Sequence, residues 1–143
     1  MTLNQLVNLL RKFASDHKQL NDFGQGDLAE ISASTDQKYP LMWVYFDTTN
    51  YRANEQVYPF RIILMDLIYQ DKSNELEVQS DMLQVAQDLC AFMIDNPDFD
   101  FMANKDVPMR FFTDRFTDLV AGIDMTLTVR DPKPLDRCVI PGL

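Results

Sequence analysis

The stretch YPFRIILMDLIYQ (58–70) constrains this chain more than any other. Its aromatic and β-branched residues suit a strand. In a strand, alternate side chains point to opposite faces. Ile63, Met65, Leu67 and Tyr69 then share one face, with Arg61 at its start, while Phe60, Ile62, Leu64 and Ile68 share the other. Only Asp66 interrupts the second row. A strand that is apolar on both faces has to be covered on both. Helices are expected on one side, and a second sheet, a loop layer or another subunit on the other.

Two amphipathic segments are available as the helical cover. In residues 3–20 the apolar positions Leu3, Leu6, Val7, Leu10, Phe13 and Ala14, bordered by His17, recur at helical spacing. Thr2 and Gln5 have the form of a capping box, and Asn21, Asp22 and Gly24 are expected to supply the stop. The second helix is expected to begin at Asn74, with Glu77 as its capping partner, and to end before Asn96-Pro97. Its stripe is Met82, Leu83, Ala86, Leu89, Cys90 and Met93, broadened by Val85 and Phe92.

The remaining segments complete an antiparallel sheet. DLAEISAS (27–34) reads as a short strand and LMWVYF (41–46) as a buried one. The polar run DTTNYRANEQ (47–56) is long for a tight hairpin and is expected to be a contact loop. DFDFMANKD (98–106) is expected to be a loop anchored by Phe99 and Phe101. Residues 109–116 read as a strand, with a turn near Thr117-Asp118. In 123–130, Ile123, Met125, Leu127 and Val129 alternate with Asp124, Thr126, Thr128 and Arg130, which predicts one wet face. Asp131-Pro132-Lys133-Pro134 should then stop sheet pairing, because proline has no N–H to donate. The expected class is α+β: one domain (1–143) with a mostly antiparallel sheet, two amphipathic helices on one face and an extended C-terminal arm (131–143). Removing that arm is expected to leave a folded domain and impair assembly.

Chemistry is sparse. His17 is the sole histidine and lacks a neighbouring serine and carboxylate set. Asp95, Asp98 and Asp100 lack the glycine and the closing glutamate of a calcium loop. Cys90 reads as a reduced core thiol, and the four glycines form no phosphate-binding loop. Asp66, set in an apolar strand, needs a partner or a proton, and Arg61, Arg110 and Arg115 are candidates. The expectation is therefore a non-enzyme with no cofactor or metal. With no apolar run of membrane-spanning length and no leader-like N-terminus, the chain is expected to stay in the compartment where it is made. A net charge of −9 disfavours direct nucleic-acid binding, and an acidic wall would repel DNA rather than hold it.

The first amphipathic helix, YPFRIILMDLIY, DMLQVAQDLCAFM, FTDLVAGIDMTLTVRDP and the closing LDRCVIP occur in an order that resembles tail-terminator or neck-ring proteins, the head–tail connectors of tailed bacteriophages. Rings of crAss-like short-tailed phages are one form. The resemblance implies a structural protein of the virion, in the tail or neck, that passes through the host cytoplasm during assembly. It implies a self-associating ring, hexameric or dodecameric, touching portal, neck or tail proteins and letting DNA pass without specific binding. The candidate contacts are Tyr51, Arg52, Asn54 and Glu55 in the polar run, Arg130 at the strand end, and Leu135, Arg137, Val139 and Ile140 in the tail. The alternative is a small cytosolic ligand-binding domain or hydrolase using the acidic loops at 71–81 and 95–100.

Overall fold

The computed structural model describes residues 1–33, 37–113 and 118–142. The elements are α1 (Leu3–Asp16), β1 (Asp22–Gln25), α2 (Leu28–Ala33), β2 (Leu41–Tyr45), β3 (Asn50–Arg52), β4 (Glu55–Leu67), α3 (Glu75–Met93), β5 (Met102–Ala103), β6 (Met109–Thr113), β7 (Val120–Pro132) and a 3₁₀ turn, Arg137–Val139. The fold is α+β, with seven strands among the described residues in one mostly antiparallel sheet.

Strands β4 and β7 form the axis. They pair antiparallel along their whole lengths, from Glu55 opposite Pro132 to Leu67 opposite Val120. β2 and β3 flank β4, β5 and β6 flank β7, and β1 adds a parallel pairing to β2 at the far edge. Gly122 permits close contact along the axis, because a Cβ there would lie 1.8 Å from the Leu64 carbonyl oxygen.

Phe60, Ile62 and Leu64 of one row and Ile63 and Met65 of the other are buried, as the alternation predicts. Phe60, Ile62 and Leu64 join Ala121, Ile123, Met125, Leu127 and Val129 beneath α1 and α3. Each such large side chain contributes roughly 1.5–3 kcal/mol on burial. On the other face Ile63 and Met65 meet Leu41, Trp43, Phe112 and Val120. Ile31 and the partly buried Leu28 and Tyr39 pack against that cluster. The second cover over Ile63 and Met65 is thus a layer of the same chain. Farther along that row, Leu67 and Tyr69 are exposed.

α2 corrects the expected strand at 27–34. Leu28 and Ile31 are three apart, so one helical face brings both onto the second layer, whereas strand geometry would turn them to opposite sides. Ser34 lies outside the described residues. The Trp43 ring of the same layer occupies the space that a Cβ on Gly24 would need, and its Nε1 donates to the Gly26 carbonyl at 3.1 Å.

α1 has the expected capping box between Thr2 and Gln5. It ends at Asp16, four residues early, where His17 turns extended and donates its N–H to the Phe13 carbonyl. Leu20 still reaches the core through the following turn, and residues 22–25, expected as a stop, are strand β1. The α3 cap also differs. Asn74 is the N-cap residue, but its Oδ1 accepts from the Tyr69 N–H and not from the helix.

Three further corrections concern the strands. The polar run 47–56 is largely a β-hairpin, since β3 pairs with the start of β4. Asp131 and Pro132 continue β7, opposite Gln56 and Glu55, so the arm begins at Lys133. The supposed wet face is dry at one end, where Asp124 is 5% exposed, while Thr126, Thr128 and Arg130 are half-buried. Arg61 Nη2 lies 3.4 Å from both Asp124 carboxylate oxygens, with its guanidinium over the Tyr45 ring.

Arg61 therefore does not neutralise Asp66, because the two point to opposite faces of β4. Arg110 pairs in register with Asp124 on the Arg61 side, and Arg115 lies outside the described residues. Burial pushes the Asp66 carboxyl up, the Leu67 N–H partly offsets this, and the charge of Asp81 adds to the rise. The folded state then holds this proton more tightly than the unfolded chain. Stability from Asp66 falls as pH rises above the ordinary value of 3.8 and returns as pH falls toward it. Asp66→Asn is expected to melt higher than the parent at neutral pH, with the gap closing near pH ~3. Melting curves at both pH values check this, and a variant that melts lower at neutral pH contradicts it.

Candidate subunit interface

The hairpin tip and the root of the arm meet at one end of the axis. Between Arg52 and Glu55 the chain turns through Ala53 and Asn54, both at positive φ (51° and 63°). Two central residues of that hand characterise the type I′ turn, whose twist matches that of paired strands. Asn tolerates this region, but alanine there costs ~1–2 kcal/mol. The strained tip is held from outside. Lys133 donates its N–H to the Asn54 carbonyl at 2.7 Å, and the Tyr51 hydroxyl donates to the Lys133 carbonyl at 2.9 Å.

Arg130 completes the junction. Its Nε donates to Asn104 Oδ1 at 2.8 Å, and its Nη1 lies 3.6 Å from Glu55 Oε2. Just beyond, the nearly buried carboxylate of Asp131 is 2.8 Å from the Met1 amino group. Tyr51, Asn54, Glu55 and Arg130, separate in sequence, are thus gathered around the root of the arm. Arg52 lies beside them on the exposed edge of β3. Sequence reasoning missed Lys133 and Asn104. No local pattern marks them: the full β4–β7 register brings Lys133 to the hairpin, and the pairing of β5 with β7 brings Asn104 to Arg130.

Beyond Lys133 the arm leaves the domain. Leu135 and Val139 are 73% and 74% exposed, Ile140 is 44% exposed, and Arg137 and Cys138 are exposed beside them. Asp136 accepts from the Cys138 N–H, which shapes the 3₁₀ turn. The arm thus has local order without burying its apolar groups. In the sheet, Met109 and Phe111 on the β6 edge are also exposed.

The residues considered for chemistry have structural partners. His17 Nδ1 accepts from the Gln19 N–H, and Nε2 lies 2.8 Å from an Asp88 carboxylate oxygen. Asp95 pairs with Lys105 at 3.3 Å, and no group of three or more His, Cys, Asp or Glu side chains among the described residues is placed to hold a metal ion. Cys90 is half-buried, and that burial pushes its thiol up. No helix among the described residues is long and apolar enough to cross a membrane.

Near the end of α1 lies a cleft of about 400 Å³. Leu9, Phe13, Phe92 and Phe99 supply its apolar wall. The rings continue into one another: Phe13 to Phe92 at 5.4 Å, Phe92 to Phe99 at 5.5 Å and Phe99 to Phe101 at 4.8 Å. The loop anchors Phe99 and Phe101 were legible in the sequence, but the cleft that Phe99 lines was not.

In comparisons with known proteins, no family model matches the chain, and no curated protein matches it significantly.

The turn can be tested directly. Ala53→Asn combined with Asn54→Gly is expected to relieve the strain and raise the melting temperature by ~2–4 °C for each kcal/mol recovered. Thermal unfolding followed by circular dichroism checks this. An unchanged or lower midpoint contradicts the strain at Ala53.

Proposed function

We propose that this protein is a structural subunit of a virion that self-associates into a ring at the head–tail junction or tail end. The observation that carries the reading is the arm. Its root is fastened by Lys133 to Asn54 and Tyr51, while Leu135, Val139 and Ile140 stay in water. Holding three large apolar groups exposed on a tethered segment is unfavourable for an isolated chain, and becomes favourable once another surface covers them. A heterologous contact repeated around an axis closes into a ring.

Charge and sequence pattern support the same reading. At −9 the chain would line a passage without gripping the phosphates of DNA moving through it. The order of its helices and apolar strands resembles head–tail connector proteins. Portal, neck or tail proteins are the partners proposed for the ring faces.

Native mass spectrometry of the full chain is the test. Hexamers or dodecamers are expected, together with a shift to monomer when residues 134–143 are deleted at unchanged circular dichroism. A full chain that remains monomeric at high concentration overturns the proposal. Unfolding on deletion would instead make the arm part of the core.

A further inference from the structure

We infer that the arm of one copy docks in the aromatic cleft of the next, so that the ring contact joins arm to cleft. The inference rests on the ring reading and adds the surface that receives the arm. The cleft offers what the arm lacks in its own chain. Leu9, Phe92 and Phe99 are only partly buried, so their apolar surface stays open to a ligand. An engineered apolar cavity of ~150 Å³ admits benzene. A cleft of about 400 Å³ can therefore take two or three aliphatic side chains, which is what Leu135, Val139 and Ile140 present.

The charges correspond. The cleft rim carries Asp16 and Asp98 with one cation, Lys12. The arm carries the reverse pattern, Lys133 and Arg137 with one anion, Asp136. In a chain of net charge −9, copies repel one another overall, so a locally cationic arm meeting an acidic rim supplies orientation as well as attraction. A second copy is therefore the occupant that the arm's own composition specifies.

The aromatic row gives the cleft a rigid wall. Phe13, Phe92 and Phe99 are held by one another and by α1 and α3, so the site exists before the arm arrives and little ordering is needed there. The cost falls on the arm, whose 3₁₀ turn is already formed by the Asp136 cap.

Cys138 sits between Arg137 and Val139 on the arm and is exposed, which makes it a native reporter. Asp98→Cys is introduced on the rim in a Cys90→Ala background, and the full chain is mildly oxidised. The expected result is a ladder of disulfide-linked multimers on a non-reducing gel, with peptide mapping placing the bond between position 98 and Cys138. The ladder should vanish in a Cys138→Ser control. An intramolecular bond in a monomer overturns the inference, because the arm then folds back on its own cleft. An oligomer by native mass without that disulfide overturns the docking site while leaving the ring reading intact. A monomer without it overturns both. As a second measure without cysteine chemistry, Asp98→Lys is expected to weaken association ~5-fold, and Arg137→Glu in the same chain to restore it. Loss without rescue counts against the pairing of rim and arm.

Discussion

The antiparallel pairing of β4 with β7 is the constraint on which the rest of the structure depends. Thirteen residues of each strand face one another without a break. Every other strand except β1 joins this pair directly, and α1 and α3 lie on a face that these two strands largely supply. The register matters at both ends. At one it sets Gly122 against Leu64, where no Cβ fits. At the other it places Arg130 beside Glu55, and the chain emerging from Pro132 against the hairpin turn. A slip of one residue would reverse the faces of every side chain in the strand. It would bury Thr126 and Thr128 while exposing Leu127 and Val129.

The same register ties the domain to its proposed role. A hairpin tip with Ala53 at positive φ is poorly stable alone, and the two bonds that Asn54 and Tyr51 make to the Lys133 backbone make the arm's exit direction a property of the sheet. The arm is thereby aimed, although Leu135 and Val139 stay mostly exposed and Ile140 is only partly covered. In the account proposed here, the fold supplies a rigid root, an exposed hook and a preformed aromatic cleft, and assembly joins hook to cleft.

Period-based features were legible in the sequence because each is local. The double apolar row of β4, the α1 stripe with its capping box, and the alternation of β7 follow from side-chain spacing alone. Features that depend on distant partners were not legible. Leu28 and Ile31 are too few to distinguish helix from strand until the second layer beneath them is known. Asp124 sits on the polar row of β7 yet is buried, because Arg61 arrives from the neighbouring strand. Asp131-Pro132 looked like a stop, but a proline is tolerated at the end of a strand, where the ladder needs no N–H from it. In the candidate interface the residue types were visible, and their convergence at the arm root was not. Of the covers left open for the second apolar face, residue spacing alone could not choose the layer that α2 and Tyr39 supply.

The central claim is that the arm is reserved for another subunit while β4 and β7 hold the fold. Amide hydrogen exchange of the full chain, measured in dilute solution and again under concentrated, assembled conditions, tests it most directly. The expected result is that amides of β4 and β7 are protected in both, while those of residues 135–142 exchange freely when dilute and become protected on assembly. Protection of the arm in the dilute monomer, or free exchange of the arm in the assembled state, would contradict the account.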